Sequence, residues 1–143
     1  MTTKEYLGSI SRLESLIVSK KQRADAFRFM ASSVGSKPIT DMPKSPITSL
    51  SPMADAICKA ITLDEEVKQD ELLLQQKKLF LLELIGTISD VDMQIIIIKR
   101  YFEKKQWNTI MAETFFSSSW TYKLHKAGID ELDKKLASYT ELP

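Results

Sequence analysis

Two long runs of apolar residues, repeating at intervals of three and four positions, constrain the fold of this chain more than any other feature. The first run has one polar interruption, Lys20, and its apolar members are Tyr6, Ile10, Leu13, Ile17, Ala24, Phe27, Ala31 and Val34. The second is interrupted by Asp70 and Lys77, and its apolar members are Ala60, Leu63, Val67, Leu74, Leu81, Leu84 and Ile88. Such spacing places apolar side chains on one face of a helix, and each face needs a partner along its length. We therefore predict a long antiparallel helical (coiled-coil) hairpin over residues 1–88.

Capping signals and a Pro-rich segment predict where the two long helices begin and where they are joined. Thr2 and Glu5 have the spacing of a capping box, and Ser51 followed by Pro52 suits an N-cap and a first helical turn. Residues 32–52 contain one glycine, four prolines and many Ser and Thr, which is incompatible with a continuous helix. This segment is predicted to be a Pro/Ser-rich connector.

Residues 89–143 predict a second, C-terminal domain. Ser89 or Asp90 would cap a helix that carries four successive isoleucines, Ile95 to Ile98. Such a run also fits a buried strand, but helix is favoured because a cap precedes it and no second strand-like segment exists to pair with it. The expected fold class is all-α, with the hairpin followed by a three-helix headpiece at 89–143 that contains a helix-turn-helix.

The segment from Trp107 to Lys126 predicts the two helices of that motif, with Ser117 or Ser118 capping the second. A helix-turn-helix presents the outer face of its second helix to the major groove of DNA. The residues expected to contact DNA there are Ser118, Ser119, Tyr122, Lys123 and Lys126, which can donate hydrogen bonds to phosphates or base edges. Additional attraction, independent of sequence and weakened by salt, is expected from Lys99, Arg100, Lys104 and Lys105.

The same segment resembles a known family. Arg100-Tyr101, Trp107, Ile110, Phe116-Ser117 and the run Tyr122-Lys123-Leu124-His125 are similar to the C-terminal signature of small phage and prophage proteins of Gram-positive bacteria. The helix-turn-helix of that family is similar to region four of bacterial sigma factors, and its relatives include late-gene transcription activators of phages. Further matches lie at 4–7 (Lys-Glu-Tyr-Leu), 42–45 (Met-Pro-Lys-Ser) and 63–67 (Leu-Asp-Glu-Glu-Val).

The resemblance implies a phage or prophage transcription regulator that binds double-stranded DNA through its C-terminal helix-turn-helix. It would act in the cytoplasm of the bacterial host, and its hairpin would form a homodimer or contact bacterial RNA polymerase. The formal net charge of +1 neither requires nor excludes a polyanionic partner.

Several residues depart from the family pattern, namely Met111, Thr114, Phe115 and Thr121. Phe115 occupies the position of the turn glycine, where a positive φ is poorly tolerated by Phe, so we expect a remodelled turn. Trp120 is an additional large side chain that either packs back or contacts a partner. These departures support an alternative function, a protein-interaction adaptor whose degenerate helix-turn-helix binds RNA polymerase, a sigma factor or another phage protein.

The sequence offers no motif for catalysis or metal binding. One cysteine and one histidine do not supply a zinc tetrad, and His125 is expected to be a packing or capping residue. Gly-rich phosphate loops and nucleophile elbows are also missing, so neither an enzyme nor a cofactor is predicted. No apolar stretch approaches the roughly 20 residues needed to cross a bilayer, so no membrane partner is expected.

Overall fold

The computed structural model describes residues 1–34 and 51–143, so most of the connector predicted at 32–52 lies outside the described residues. Regular structure in the described part is helical throughout, which confirms the all-α class. Within residues 1–34 and 51–143, a π-helical turn at Ile98–Phe102 follows the third of five α-helices. These helices are α1 (Thr3–Val34), α2 (Pro52–Gly86), α3 (Val91–Ile97), α4 (Trp107–Thr114) and α5 (Ser118–Ala137).

The chain divides into two compact units. The first unit comprises Met1–Ser11 and Leu74–Pro143, and the second comprises Arg12–Leu73. The domain boundary predicted between residues 88 and 89 stays a prediction.

In the second unit, α1 and α2 run antiparallel. Lys20 pairs with Asp70, while Arg28, further along α1, pairs with Asp64, which lies earlier in α2. The apolar faces of the same two helices meet in a core cluster of Ala24, Ala60 and Leu63, with Phe27 packed against it. Burying a side chain such as Leu63 contributes roughly 1.5–3 kcal/mol, so this apolar face is the main source of stability for the helix pair.

Lys20 and Asp70, the polar residues that interrupt the two apolar stripes, form an ion pair with each other. Lys20 Nζ lies 2.7 Å from Asp70 Oδ2, and both side chains are largely shielded from solvent. The hydrogen bond to Asp70 is the main cause that raises the pKa of Lys20. A mutual pair therefore accounts for two of the residues that break the apolar stripes.

In the first unit, the beginning of α1 is anchored by Tyr6 and by two capping interactions. The Tyr6 side chain is buried, and its ring packs against Phe80 at a centroid distance of 5.9 Å. The predicted capping box is confirmed, because the Glu5 N–H donates to Thr2 Oγ1 at 3.2 Å and the Thr2 N–H donates to Glu5 Oε2 at 3.3 Å. The Thr3 N–H also donates to Asp133 Oδ1 of α5 at 2.7 Å.

The isoleucine-rich segment forms α3 and the start of the π-helical turn, so the helical interpretation is confirmed over the strand. Asp90 is the cap, since its Oδ1 accepts the Asp92 N–H at 2.9 Å. Ile96 of α3 packs with Ile110 of α4 and Leu124 of α5 in one core cluster. Gly128 allows α5 to approach α3 closely, because a Cβ there would lie 2.6 Å from Ile97 Cδ1.

Among residues 1–34 and 51–143, no helix is both long and apolar enough to cross a membrane.

Candidate nucleic-acid interface

The turn between α4 and α5 keeps a left-handed residue although glycine is not present. Phe115 ends α4 with φ 60° and ψ 22°, and its N–H donates to the Met111 carbonyl at 2.9 Å. The remodelling expected from a phenylalanine at this position is therefore not seen in its backbone angles. A left-handed conformation costs a non-glycine residue roughly 1–2 kcal/mol, and the 92% exposed Phe115 ring regains little of that by burial.

Helix α5 begins at a well-formed cap three residues after α4 ends. Ser117 Oγ accepts the Trp120 N–H at 3.2 Å, so Ser117, of the two candidates from the sequence, is the N-cap. The inner face of α5 is buried and consists of Thr121, Leu124, Gly128, Leu132 and Leu136. Burial of this face fixes which side of α5 is turned outward.

The five α5 residues predicted to contact DNA all lie on the exposed side of the helix. They are Ser118, Ser119, Tyr122, Lys123 and Lys126. Residues 118–126 contain no Asp or Glu, and the first carboxylate of α5 is Asp130. The resulting surface offers hydroxyl and ammonium donors over more than two helical turns, without an opposing charge on the same stretch of helix.

Two rings are held beside this exposed side. The rings of Tyr122 and Trp107 meet edge to face with centroids 5.1 Å apart, which orients Tyr122 while leaving it 48% exposed. Trp120 is 42% exposed, and Lys123 Nζ lies 5.8 Å from the centre of its ring. Trp120 thus remains substantially accessible to a partner.

The upstream basic residues are brought together, but they are engaged within the protein. Lys99 Nζ lies 2.8 Å from Glu113 Oε2, and Lys105 Nζ lies 2.6 Å from Glu113 Oε1. Hydrogen bonds from the two lysines lower the pKa of Glu113, and the bond from Lys105 has the larger effect. The same bond to Glu113 is the main cause that raises the pKa of Lys105. Because Glu113 is ionised between them, the two lysines present less net positive charge than the sequence suggests.

Arg100 and Lys104 complete the predicted basic set. The Arg100 guanidinium donates to the Lys105 carbonyl at 3.1 Å and lies 4.6 Å from the centre of the Trp107 ring. Lys104 is exposed and has a positive φ of 55° in the segment between the π-helical turn and α4. Arg100 is therefore a packing residue as well as a cation.

Glu113 is the residue that sequence reasoning missed in this region. It lies on the exposed side of α4, and its two partners, Lys105 and Lys99, precede Glu113 in the sequence by eight and fourteen positions. The excess of Lys in residues 99–105 and a single acidic residue on α4 are visible in the sequence, but their convergence depends on the path of the chain through the π-helical turn.

His125 is a packing residue, as the sequence predicts. Its Nε2 and Tyr101 Oη lie 2.7 Å apart and share a hydrogen bond, and its ring meets Trp107 edge to face at 4.9 Å. Burial is the main cause that lowers the pKa of His125, and the charge of Arg100 adds to it. The imidazole is therefore neutral at pH 7.

Comparisons of the chain with protein-family models, with curated proteins and with solved structures found no match. The resemblance to phage and prophage proteins therefore stays a prediction, and functional inference depends on the geometry described above.

Proposed function

We propose that the chain binds double-stranded DNA through the outer side of the first turns of α5, with α4 and α5 acting as the two helices of a helix-turn-helix. The observation that carries this proposal is the exposed, carboxylate-free surface of residues 118–126, backed by the buried inner face of the same helix. A recognition helix needs both properties, since one side must be fixed by the core and the other must enter the groove.

The chemistry of this surface suits a phosphate backbone. The backbone N–H groups of the first turn of a helix have no intrahelical acceptor, and the helix dipole favours an anion there. Ser118 and Ser119 lie in that turn, while Lys123 and Lys126 place ammonium groups further along the same side. Together they would hold one strand of the duplex at the N-terminal end of α5.

The wider role that we propose is that of a phage or prophage transcription regulator. In this proposal, α1 and α2 form a coiled-coil hairpin, and the hairpin carries a headpiece similar to region four of sigma factors. The hairpin would serve as a dimer seam or as a contact for RNA polymerase. Support comes from the antiparallel pairing of α1 with α2 in the second unit and from the short connection of three residues between α4 and α5.

Fluorescence anisotropy with a labelled mixed-sequence duplex, measured over a range of salt concentrations, tests the proposal. The double variant Lys123→Ala, Lys126→Ala should bind more weakly, with a slope of log affinity against log salt reduced by roughly 2, because two phosphate contacts are lost. The matched control, Lys134→Ala with Lys135→Ala, removes the same charge near the other end of α5 and should keep the slope. Equal slopes in the two double variants would contradict DNA binding by this surface.

A second candidate function is a protein-interaction adaptor. It is favoured by the two exposed aromatic side chains on either side of the α5 cap, Phe115 at 92% and Trp120 at 42% exposure. The ion pairs of Lys99 and Lys105 with Glu113, which reduce the positive charge before α4, also favour it. Its partner would be RNA polymerase, a sigma factor or another phage protein. An adaptor would not shift a duplex even at low salt, whereas the DNA-binding protein would.

A further inference from the structure

A cleft of about 470 Å³ lies within the first unit, formed by four different elements. Its lining residues are Lys4 and Leu7 of α1, Arg100 and Tyr101 of the π-helical turn, Trp107 of α4, and His125 and Ile129 of α5. The volume falls in the range of roughly 300–1,000 Å³ that is typical of small-molecule sites. Neither the proposed DNA contact nor the core packing requires an open space at this position.

The walls of the cleft are largely aromatic and are held in place by one another. The His125 ring contacts Tyr101 at a centroid distance of 5.7 Å and Trp107 at 4.9 Å, and the hydrogen bond between Tyr101 and His125 fixes both rings. Leu7 and Ile129 add aliphatic surface. A planar apolar ligand would therefore meet a preformed site, with little side-chain ordering left to oppose binding.

The charged groups of the cleft have one sign. Lys4 and Arg100 are both cations, and no carboxylate is among the seven lining residues. Arg100 is positioned before any ligand arrives, since it donates to the Lys105 carbonyl and lies over the Trp107 ring. Its remaining N–H groups are available for an anion, and a guanidinium binds a carboxylate in a two-pronged geometry.

We propose that this cleft binds a small aromatic carboxylate, with its ring between the aromatic and aliphatic walls and its carboxylate toward Lys4 and Arg100. The aromatic rings favour a planar body through edge and offset stacking. The two cations favour an anionic group over a neutral one of the same shape. The proposal concerns binding in the cleft alone and does not depend on DNA binding by α5.

Isothermal titration calorimetry of the full chain with 2-naphthoate as the probe, and 2-naphthamide as its neutral counterpart, tests this site. We expect 2-naphthoate to bind with one site per chain and 2-naphthamide to bind at least about 10-fold more weakly. Only 2-naphthoate carries a negative charge that Lys4 and Arg100 can attract. Failure of 2-naphthoate to bind at millimolar concentration, or equal binding of the two probes, would overturn the proposal.

Variants separate binding in the cleft from binding elsewhere. Ile129→Trp fills the cleft and should abolish 2-naphthoate binding, and Lys4→Gln, at an exposed position of α1, should weaken it about 5-fold. Lys134→Gln removes an equal charge outside the cleft and should leave the affinity unchanged. Circular dichroism and urea unfolding of each variant confirm that it is folded. Wild-type affinity in a folded Ile129→Trp variant would place the ligand elsewhere and contradict the assignment.

Discussion

Lys105 Nζ lies 2.6 Å from both carboxylate oxygens of Glu113, so a residue predicted to attract DNA is held by an acidic side chain of α4. Lys99 contacts the same carboxylate at 2.8 Å. The carboxylate therefore reduces the positive charge that the region before α4 offers to a polyanion, and Glu103, 3.0 Å from Lys105 Nζ, reduces it further.

Glu113→Gln should strengthen duplex binding if DNA approaches this region. The substitution removes the carboxylate that holds Lys99, while Lys105 keeps its ion pair with Glu103 at 3.0 Å, so the salt slope should become steeper by about 1. Fluorescence anisotropy over a salt series measures both quantities. Glu141→Gln, an equal charge change at an exposed position outside α4 and α5, is the control and should have a smaller effect. A duplex affinity that is unchanged or lowered in Glu113→Gln would show that Lys99 and Lys105 do not contact DNA.

Phe115→Gly should stabilise the protein by about 1 kcal/mol in urea unfolding. Glycine adopts the observed φ of 60° without a Cβ clash, and the phenyl ring that is lost is 92% exposed. Phe115→Ala is the matched control, because it also removes the ring but keeps the Cβ. Its stability should rise little. If the alanine and glycine variants are equally stable, backbone strain at this turn is not the cause.

Gly128→Ala should destabilise the protein by about 1 kcal/mol, although alanine is the better helix former. The new Cβ would lie 2.6 Å from the buried Ile97 Cδ1, and overpacking of this kind costs about 1–3 kcal/mol against a gain in helix propensity of about 1 kcal/mol. Combining it with Ile97→Val removes the clashing methyl group, so the double variant should lose less than the two single losses added together.

Gly8→Ala is the comparison for this prediction. A Cβ at Gly8 meets nothing within 4 Å, so the same substitution in α1 should stabilise the protein by up to about 1 kcal/mol. In urea unfolding, we expect Gly8→Ala to raise the free energy of unfolding and Gly128→Ala to lower it. A stabilising Gly128→Ala would mean that α3 moves away at little cost.

The stability of the protein should fall as the pH is lowered through the range where a free histidine gains its proton. Burial and Arg100 lower the pKa of His125 in the folded state, so between that value and about 6.5 the unfolded chain binds more protons and unfolding becomes easier. The stabilisation is fully present above about pH 6.5 and is lost below it. His125 is the single histidine of the chain, so His125→Gln should remove the dependence between pH 7 and 5.5 in urea unfolding. An identical pH dependence in that variant would assign the effect to other groups.

Features that depend on neighbours in sequence were predictable. The capping box of Thr2 and Glu5 and the caps at Ser51 and Ser117 follow from residue type and spacing, and the structure confirms each of them. The second apolar stripe was equally clear, because every one of its seven predicted members is buried. Local hydrogen bonds and helical periodicity contain all the information that these predictions require.

Features that depend on the path of the chain were not predictable. The π-helical turn at Ile98–Phe102 leaves no sequence signal, since the residues around it suit an α-helix equally well. The ion pairs of Glu113 and the cleft beside His125 join elements that are separated along the chain. For the same reason the sequence shows Lys20 and Asp70 as interruptions but does not show that they pair.

The most direct measurement is an NMR titration of the isotope-labelled chain with a short DNA duplex at low salt. If the exposed side of α5 binds DNA, the largest amide shifts should fall on residues 118–126 and in the adjoining turn, and they should fade as salt is added. The buried end of α5 around Leu132 and Leu136 should change little. Largest shifts outside α4 and α5, or no shifts at any duplex concentration, would contradict the proposal that the exposed side of α5 binds DNA.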